Sequence, residues 1–200
     1  MKGFFISFEG VEGSGKTLQS ALLFNTLKNF YDTILTREPG GTEAGEKIRE
    51  ILLHVSVDPV TELLLFCAAR REHVERVIRP ALEEGKIVIC DRFMDSTLAY
   101  QGGGRGISFE IIQELNRIST GGLEPDLTIL LDVPPEVGIK RIRGERDRIE
   151  KEELEFHRRV REAYLEIARR EPHRVVVVDG TGEPEEVRKN IEKIVMGRLK

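Results

Sequence analysis

Short apolar runs alternate with longer amphipathic stretches along the chain. The apolar runs are rich in β-branched and aromatic residues, which predicts β-strands. Because they are hydrophobic almost throughout, they are typical of strands buried on both faces of a parallel sheet. The predicted strands are residues 3–8, 33–36, 87–90, 127–132 and 174–178.

The amphipathic stretches predict helices between these strands. They cover residues 17–29, 44–54, 59–84, 108–120, 135–143, 151–170 and 183–198. Strands separated by helices predict an α/β protein, a three-layer α/β/α fold with a five-stranded parallel sheet and right-handed crossovers. In such folds ligands bind at the carboxyl ends of the strands.

Composition narrows the class of protein. The 200 residues suit one domain, 1–200, and 40% apolar with 33% charged residues indicate a globular protein. A net charge of −4 without a long basic block argues against a nucleic-acid or membrane binder. The chain begins without a signal-peptide pattern, and Cys67 and Cys90 lie in apolar runs. Buried thiols in a reducing cytoplasm are expected, and the scattered histidines predict no zinc site.

A phosphate-binding loop follows the first predicted strand. The motif G-x-x-x-x-G-K-[ST] is matched by Gly10, Val11, Glu12, Gly13, Ser14, Gly15, Lys16 and Thr17. Glycines let backbone N–H groups point at phosphate oxygens, and the next helix adds its positive end. Lys16 is predicted to reach the β- and γ-phosphates and the Thr17 hydroxyl to ligate Mg²⁺. A chance glycine-rich turn is the alternative, but the strand and helix on either side argue against it.

Two further segments fall at the predicted ligand edge or beside it. Residues 37–42, Arg-Glu-Pro-Gly-Gly-Thr, predict a tight turn with charged residues on each side, which favours binding over a simple connector. Phe66 and Arg70 are four apart, so one helix face carries both an aromatic ring and a guanidinium group. The pair suits a planar heterocycle, although spacing alone slightly favours a core stripe that ends in a solvated arginine.

The third predicted strand ends in Asp91 and Arg92. An acid at this position can hold hydrated Mg²⁺, and the arginine can clamp a phosphate with two donors. A purely structural ion pair is the alternative, and the strand-end rule favours function. The segment continues through Met94–Thr97 to Tyr100 and Gln101, and then a predicted turn at 102–106.

Basic residues cluster between two predicted helices. Residues 140–148 include Lys140, Arg141, Arg143, Arg146 and Arg148. A charge run is usually a solvated surface. Phosphoryl transfer, however, needs cations that arrive on a closing lid, and this segment is predicted to be a mobile lid at about 141–152.

Taken together, these motifs resemble those of the bacterial thymidylate kinases, nucleoside monophosphate kinases with the P-loop NTPase fold. The resemblance covers nearly the whole chain and is carried by residues 8–10, 37–42, 65–70, 91–106, 147–150 and 164–166. It implies the reaction of ATP with dTMP to give ADP and dTDP, with Mg²⁺ as cofactor, in the synthesis of dTTP for DNA. It also implies a cytoplasmic homodimer formed through helices.

The resemblance also implies roles for single residues. Glu12 holds the 3′-hydroxyl of the deoxyribose, Phe66 stacks on thymine, and Arg70 donates to its carbonyl. Arg92 holds the phosphate of dTMP. The remaining members of the implied dTMP site are Glu38, Ser96, Thr97, Tyr100 and Gln101. Tyr100 presses on the sugar where a ribose 2′-hydroxyl would clash.

The catalytic arginine must come from the lid. Some family members carry it within the phosphate loop, where this chain has Gly13. The resemblance therefore points to Arg143 and Arg146 in preference to Arg148, with Arg141 under adenine. The implied catalytic set is Lys16, Arg92, Arg143, Arg146 and Glu12, and Mg²⁺ is held by Thr17 and Asp91.

Three other classes remain open at this point. A kinase of the same architecture could act on a deoxynucleoside or on another monophosphate. A regulatory P-loop ATPase or switch is less favoured, because no Asn-Lys-x-Asp motif for guanine is present. A protein with a vestigial loop is disfavoured by the intact Lys16, Thr17, Asp91 and Arg92.

Overall fold

The computed structural model describes residues 3–199. Its sheet has the strand order β2-β3-β1-β4-β5, and every pair of neighbours is parallel. The strands are β1 (Phe4–Glu9), β2 (Thr33–Arg37), β3 (Ile87–Asp91), β4 (Leu127–Asp132) and β5 (Val175–Asp179). The predicted five-stranded parallel sheet is confirmed.

Helices cover both faces of the sheet. They are α1 (Lys16–Leu27), α2 (Glu43–His54), α3 (Pro59–His73), α4 (Arg79–Glu83), α5 (Met94–Thr97), α6 (Phe109–Thr120), α7 (Pro135–Arg141), α8 (Leu154–Arg170) and α9 (Pro184–Arg198). One buried cluster joins α1 and α9 to the β1 side chains Ile6 and Phe8. On the other face, buried side chains of α3 and α8 pack together with α6, and Phe5 contacts the chain after α3. The three predicted layers are therefore present.

The strand register brings chemically important residues to one edge. Phe8 of β1 and Arg37 of β2 both lie opposite Asp91 of β3. Because the strands are parallel, the loops that follow them leave the sheet at the same level. The phosphate loop after β1 and the segment after β3 are thus direct neighbours.

The predicted helix 59–84 is interrupted. Its middle, Val74–Ile78, is π-helical, and the α-helix resumes at Arg79. Pro80 comes directly after this wider turn. Proline lacks an N–H and its ring crowds the preceding turn, so a local change of helical pitch accommodates it without ending the helix.

The turn predicted at 102–106 was wrong for residues 102–104, because these residues are helical. After α5 the chain continues as a π-helical segment, Leu98–Gly104. The glycines here serve close packing: a Cβ on Gly103 would lie 2.6 Å from the Cβ of Ala163, and one on Gly104 would overlap the ring of Phe156. Both partners belong to α8, so the absence of side chains lets this segment lie against that helix.

The connection between α7 and α8 is longer than the gap left between the two predicted helices, residues 144–150. Helix α7 ends at Arg141 and α8 begins at Leu154, so residues 142–153 lack regular helix. Within residues 3–199, no helix is long and apolar enough to cross a membrane.

Gly138 in α7 provides a test of how the phosphate loop is packed. A Cβ on this residue would overlap the carbonyl oxygen of Glu12, and the backbone of Gly13, at φ 69°, faces Gly138 from the other side. We expect Gly138→Ala to lower the free energy of unfolding by about 1–3 kcal/mol, because neither backbone can withdraw. Urea unfolding measures the change.

Gly197→Ala in α9 is the matched control. Nothing lies within 4 Å of a Cβ there, so alanine should leave stability equal or raise it by about 0.5–1 kcal/mol. Equal stability of Gly138→Ala and wild type would contradict the tight contact.

Candidate active site

Lys16 is held inside the phosphate loop. It is the first residue of α1, and its Nζ donates to the carbonyl oxygens of Gly10 at 3.0 Å and Val11 at 2.8 Å. Burial and the nearby Arg92 cation lower the pKa of Lys16 to about 8, against the opposing attraction of Glu12 and Asp91. The ammonium group therefore rests on neutral backbone acceptors, which it can exchange for phosphate oxygens.

Thr17 and Asp91 meet at the base of this loop. Thr17 Oγ1 donates to Asp91 Oδ2 at 2.5 Å, while Asp91 Oδ1 is buried and accepts no hydrogen bond within residues 3–199. A hydroxyl beside an incompletely satisfied carboxylate is a hard oxygen donor set, which fits Mg²⁺. The described residues contain no group of three His, Cys, Asp or Glu side chains able to hold a metal. The remaining ligands would be water and nucleotide phosphate.

Arg92 bridges the end of β3 and the phosphate loop. Its φ of 71° is left-handed and uncommon for a residue with a Cβ, and its N–H donates to Phe8 O at 2.9 Å. Arg92 Nη2 donates to Glu12 Oε1 at 2.7 Å, and the guanidinium lies 5.0 Å from the centre of the Tyr100 ring. The left-handed backbone thus directs the Arg92 guanidinium from the end of β3 toward Glu12 in the phosphate loop.

Glu12 is the counter-charge of this cluster. Tyr100 donates its hydroxyl to the Glu12 carboxylate at 2.6 Å, and His157 Nδ1 lies 3.4 Å from Glu12 Oε2. Burial alone would raise the pKa of Glu12, but Arg92, the His157 ring and Lys16 outweigh it and lower the pKa to about 2. Glu12 is therefore an anion across the physiological range.

Glu9, at the end of β1, is a second buried carboxyl close to this cluster. It accepts from Ser96 Oγ at 2.6 Å, Tyr164 Oη at 2.7 Å and Phe93 N at 2.8 Å. Burial and then the charge of Asp95 raise the pKa of Glu9 to about 7, although the Ser96 and Tyr164 hydrogen bonds act in the other direction. The carboxyl fixes the position of Ser96.

A cavity of about 380 Å³, here called the β3-side cavity, collects most of the predicted residues. Its walls include the predicted residues Glu12, Gly13, Lys16, Thr17, Glu38, Phe66, Asp91, Arg92, Ser96, Thr97, Tyr100 and Gln101. The residues that sequence reasoning did not assign to the site are Arg37, Pro39, Arg49, Leu53, Asp147, Ile149 and Glu150.

Some of these missed residues carried a signal. Arg37 and Pro39 belong to the loop for which a binding role was predicted, and the Glu38–Pro39 peptide is cis. Arg49 on α2 donates to Pro39 O at 3.0 Å, a contact that sequence spacing does not reveal. The cavity consequently has a strongly cationic end, formed by Lys16, Arg37, Arg49 and Arg92.

Arg70 lies behind the cavity wall and is only 1% exposed, so a solvated arginine at this position is excluded. Its Nε donates to Glu38 Oε2 at 2.8 Å, and its Nη1 donates to Thr97 Oγ1 at 2.8 Å and Asn116 Oδ1 at 2.9 Å. Its Nη2 donates to Phe93 O at 3.1 Å. Arg70 thereby orients two wall residues, and its contact with a base carbonyl stays a prediction.

A second cavity of about 580 Å³, the β5-side cavity, adjoins the first. It is lined by Gly13, Ser14, Gly15, Lys16 and Thr17 of the phosphate loop, by Arg141, and by residues 180–184 after β5. Arg141 donates to Gly180 O at 2.8 Å and Thr181 O at 3.0 Å. Sequence reasoning found Arg141 but not residues 180–184, which carry no recognisable motif.

The two favoured lid arginines lie apart from both cavities. Arg143 and Arg146 are exposed and line neither cavity in this conformation. Arg148 is instead tied to buried Glu62, with Nη2 donating to Oε2 at 2.6 Å. Of the three candidates, only Arg148 is fixed to the body of the protein through its side chain.

Comparisons with known proteins agree with this geometry. A family model described as Thymidylate kinase matches residues 8–191. The thymidylate kinase of Synechococcus sp. (strain JA-2-3B'a(2-13)) is 52% identical over 197 residues, which cover 98% of this chain and 95% of that protein. The thymidylate kinase of Thermomicrobium roseum is 58% identical over 188 residues, covering 92% and 90%. The crystal structure of thymidylate kinase from Ehrlichia chaffeensis has a TM-score of 0.84 at 39% identity, covering 98% of this chain and 100% of that one.

Glu9 generates a prediction about pH. Because its pKa rises from 4.5 in the unfolded chain to about 7 in the folded one, the folded state binds more protons between these values. This carboxyl therefore lowers stability as pH rises from 4.5 to 7. Glu9→Gln removes this titration. The difference in unfolding free energy, variant minus wild type, should therefore increase by a few kcal/mol between pH 4.5 and pH 7.

Urea unfolding between pH 4.5 and 7.5 measures the gain. Glu186→Gln, at an exposed position on α9, is the control and should track wild type. A constant difference between Glu9→Gln and wild type across this window would show that the Glu9 carboxyl does not titrate there.

Proposed function

The chain belongs to the thymidylate kinase family, and from that premise we propose which of its residues bind each substrate and which neutralise charge during catalysis. The protein phosphorylates dTMP to dTDP. The observation that carries the assignment is that both cavities share Gly13, Lys16 and Thr17. A phosphoryl group that passes from one cavity to the other must therefore pass Lys16.

The β5-side cavity takes ATP. Arg141 and residues 180–184 flank the adenine end, and the triphosphate lies along the phosphate loop. Lys16 then gives up Gly10 O and Val11 O and donates to phosphate oxygens. Thr17 and Asp91 would hold Mg²⁺, which would neutralise phosphate charge.

The β3-side cavity takes dTMP. Phe66, Ser96 and Thr97 form the base end, with Gln101 beside them, and Arg70 supports Thr97 from behind. Tyr100 and ionised Glu12 face the deoxyribose, where a carboxylate can accept the 3′-hydroxyl. The cationic end, which includes Arg92, receives the 5′-phosphate.

No side-chain nucleophile is required. An oxygen of the dTMP phosphate attacks the γ-phosphorus of ATP, the bond from that phosphorus to the β–γ bridging oxygen breaks, and ADP leaves. Catalysis therefore consists of alignment and charge neutralisation. Lys16 and Arg92 are in place on either side of this path. Arg143 and Arg146 complete the set when residues 142–147 move over the cleft and exclude water.

A homodimer and a cytoplasmic location complete the proposal. Val60 and Leu64 on α3 and Ile111 and Ile118 on α6 are large apolar side chains with about half or more of their surface exposed. These two helices pack side by side, so the side chains mark one apolar face suited to a second copy of the chain. Sedimentation velocity on the full chain tests this assembly.

Acceptor choice tests the assignment of the β3-side cavity. ADP release from Mg-ATP is measured with dTMP, dUMP, dGMP, AMP or thymidine. We expect rapid turnover with dTMP, slower turnover with dUMP, which lacks only the methyl group, and negligible turnover with the others. Preference for thymidine would contradict the phosphate role of Arg92. Hydrolysis indifferent to every acceptor would contradict the kinase mechanism.

Substitution of the lid arginines tests how charge is neutralised. Arg143→Ala or Arg146→Ala, whichever removes the arginine that reaches the transferring group, should lower kcat about 10³-fold with little change in KM for dTMP. Arg170→Ala, which removes an exposed pair with Glu166 on α8, is the control and should keep wild-type rates. If both lid variants retain wild-type kcat, the catalytic arginine lies elsewhere.

A further inference from the structure

Glu62 on α3 is a buried carboxylate that the mechanism above does not use. It is 1% exposed, and three side chains from two other parts of the chain donate to it. Gln101 Nε2 donates to Oε1 at 2.8 Å, and Arg148 Nη2 donates to Oε2 at 2.6 Å. Arg105 donates to both oxygens at 3.2 Å. Glu62 is thus the only shared partner of these donors within residues 3–199.

These donors belong to different functional regions. Gln101 is a wall residue of the β3-side cavity. Arg148 belongs to the base of the lid, together with Asp147, Ile149 and Glu150, which line the same cavity. Glu62 therefore joins the dTMP pocket to the segment from which the lid arginines extend.

The lid base has other attachments to the body of the protein, and one of them is apolar: Ile149 is buried in the core cluster that includes side chains of α3 and α8. Arg148 donates its backbone N–H to Leu53 O at 3.2 Å and its Nε to Leu52 O at 3.0 Å. Farther along, Glu152 Oε1 lies 2.6 Å from Arg105 Nη1, which places it beside the same carboxylate cluster. The Arg148–Glu62 and Glu152–Arg105 ion pairs, both at 2.6 Å, are the shortest of these polar contacts.

The chemistry of the carboxylate makes its bonds depend on one another. An ionised carboxylate only accepts, so it selects the N–H₂ side of the Gln101 amide and fixes how that amide faces the cavity. Burial alone would raise the pKa of Glu62, but the hydrogen bonds from Arg105, Gln101 and Arg148 outweigh it and hold the pKa below its usual range. A buried anion that loses one donor is left poorly paired, so its remaining hydrogen bonds become more important for its stability.

Building on the proposed function, we propose that Glu62 is a positioning residue that couples occupancy of the dTMP pocket to placement of the lid base. When dTMP fixes the Gln101 side chain, Glu62 is fixed with it, and so is Arg148. A fixed Arg148 then keeps residues 142–147, which carry the lid arginines, close to the cleft over which they move. By reciprocity, a well-placed lid base also favours dTMP binding.

A double-mutant cycle tests this coupling. Gln101 and Arg148 donate to different oxygens of Glu62 and not to each other, so without Glu62 their effects should be independent. The dissociation constant for dTMP is measured by calorimetry for wild type, Gln101→Ala, Arg148→Ala and the double variant. We expect a coupling factor of at least about threefold. This arm requires no change at Glu62 itself.

The same cycle in two further backgrounds identifies the carrier of the coupling. In Glu62→Gln the factor should fall to one, because a neutral amide no longer requires both donors. In Glu72→Gln it should persist, since Glu72 lies on the same helix but forms an exposed ion pair with Arg76, away from Gln101 and Arg148. Additive effects in wild type, or coupling that survives Glu62→Gln, would overturn the proposal.

Limited proteolysis gives a direct view of the lid. Trypsin can cleave after Arg143 and Arg146, both of which are exposed. Saturating dTMP should slow this cleavage in wild type and in Glu72→Gln, and should not slow it in Arg148→Ala. Equal protection by dTMP in Arg148→Ala would also overturn the proposal. If wild type fails to bind dTMP, the proposed function fails first, so the two failures are distinguishable.

Discussion

The site depends on the ion pair between Arg92 and Glu12. Binding two phosphate groups requires several cations, and Arg92 lies close enough to Lys16 to lower the pKa of that ammonium group. Glu12, a buried anion with a pKa lowered to about 2, attracts both cations and so opposes this repulsion. The left-handed backbone of Arg92 is tolerated because this contact and the bond from its N–H to Phe8 O hold it. These contacts therefore fix the cations of the pocket in place.

Buried carboxylates extend the same principle around the β3-side cavity, because each one is hydrogen-bonded to a side chain that lines the cavity or lies directly behind its wall. The pairs are Glu12 with Tyr100, Glu9 with Ser96, Glu38 with Arg70, and Glu62 with Gln101. Side chains fixed in this way lose little conformational freedom when a ligand arrives. Polar residues behind the wall, such as Glu9 and Glu62, thus fix the orientation of side chains that face the cavity.

Sequence reasoning succeeded where one local signal decided the structure. Strands buried on both faces are continuously apolar, and the phosphate loop has a fixed spacing. It failed where tertiary contacts decided. Gly103 and Gly104 indicated a turn, but they allow the π-helical segment to lie against α8. Residues 180–184 carry no motif, and only the strand order brings them beside Arg141. In the sequence, Glu62 is one of several charged residues on an amphipathic helix. Only the fold brings its three donors, Gln101, Arg105 and Arg148, to it.

The attachment of the lid follows from where the chain leaves and rejoins the body. Arg141 ties its first residue to the backbone of Gly180 and Thr181, at the edge of the β5-side cavity. Arg148 ties its base to Glu62, beside the β3-side cavity. The exposed Arg143 and Arg146 lie between these two points in the chain, each of which adjoins a different cavity. In the proposed mechanism, residues 142–147 close over the cleft while both anchors stay in place, and this closure brings the arginines between donor and acceptor.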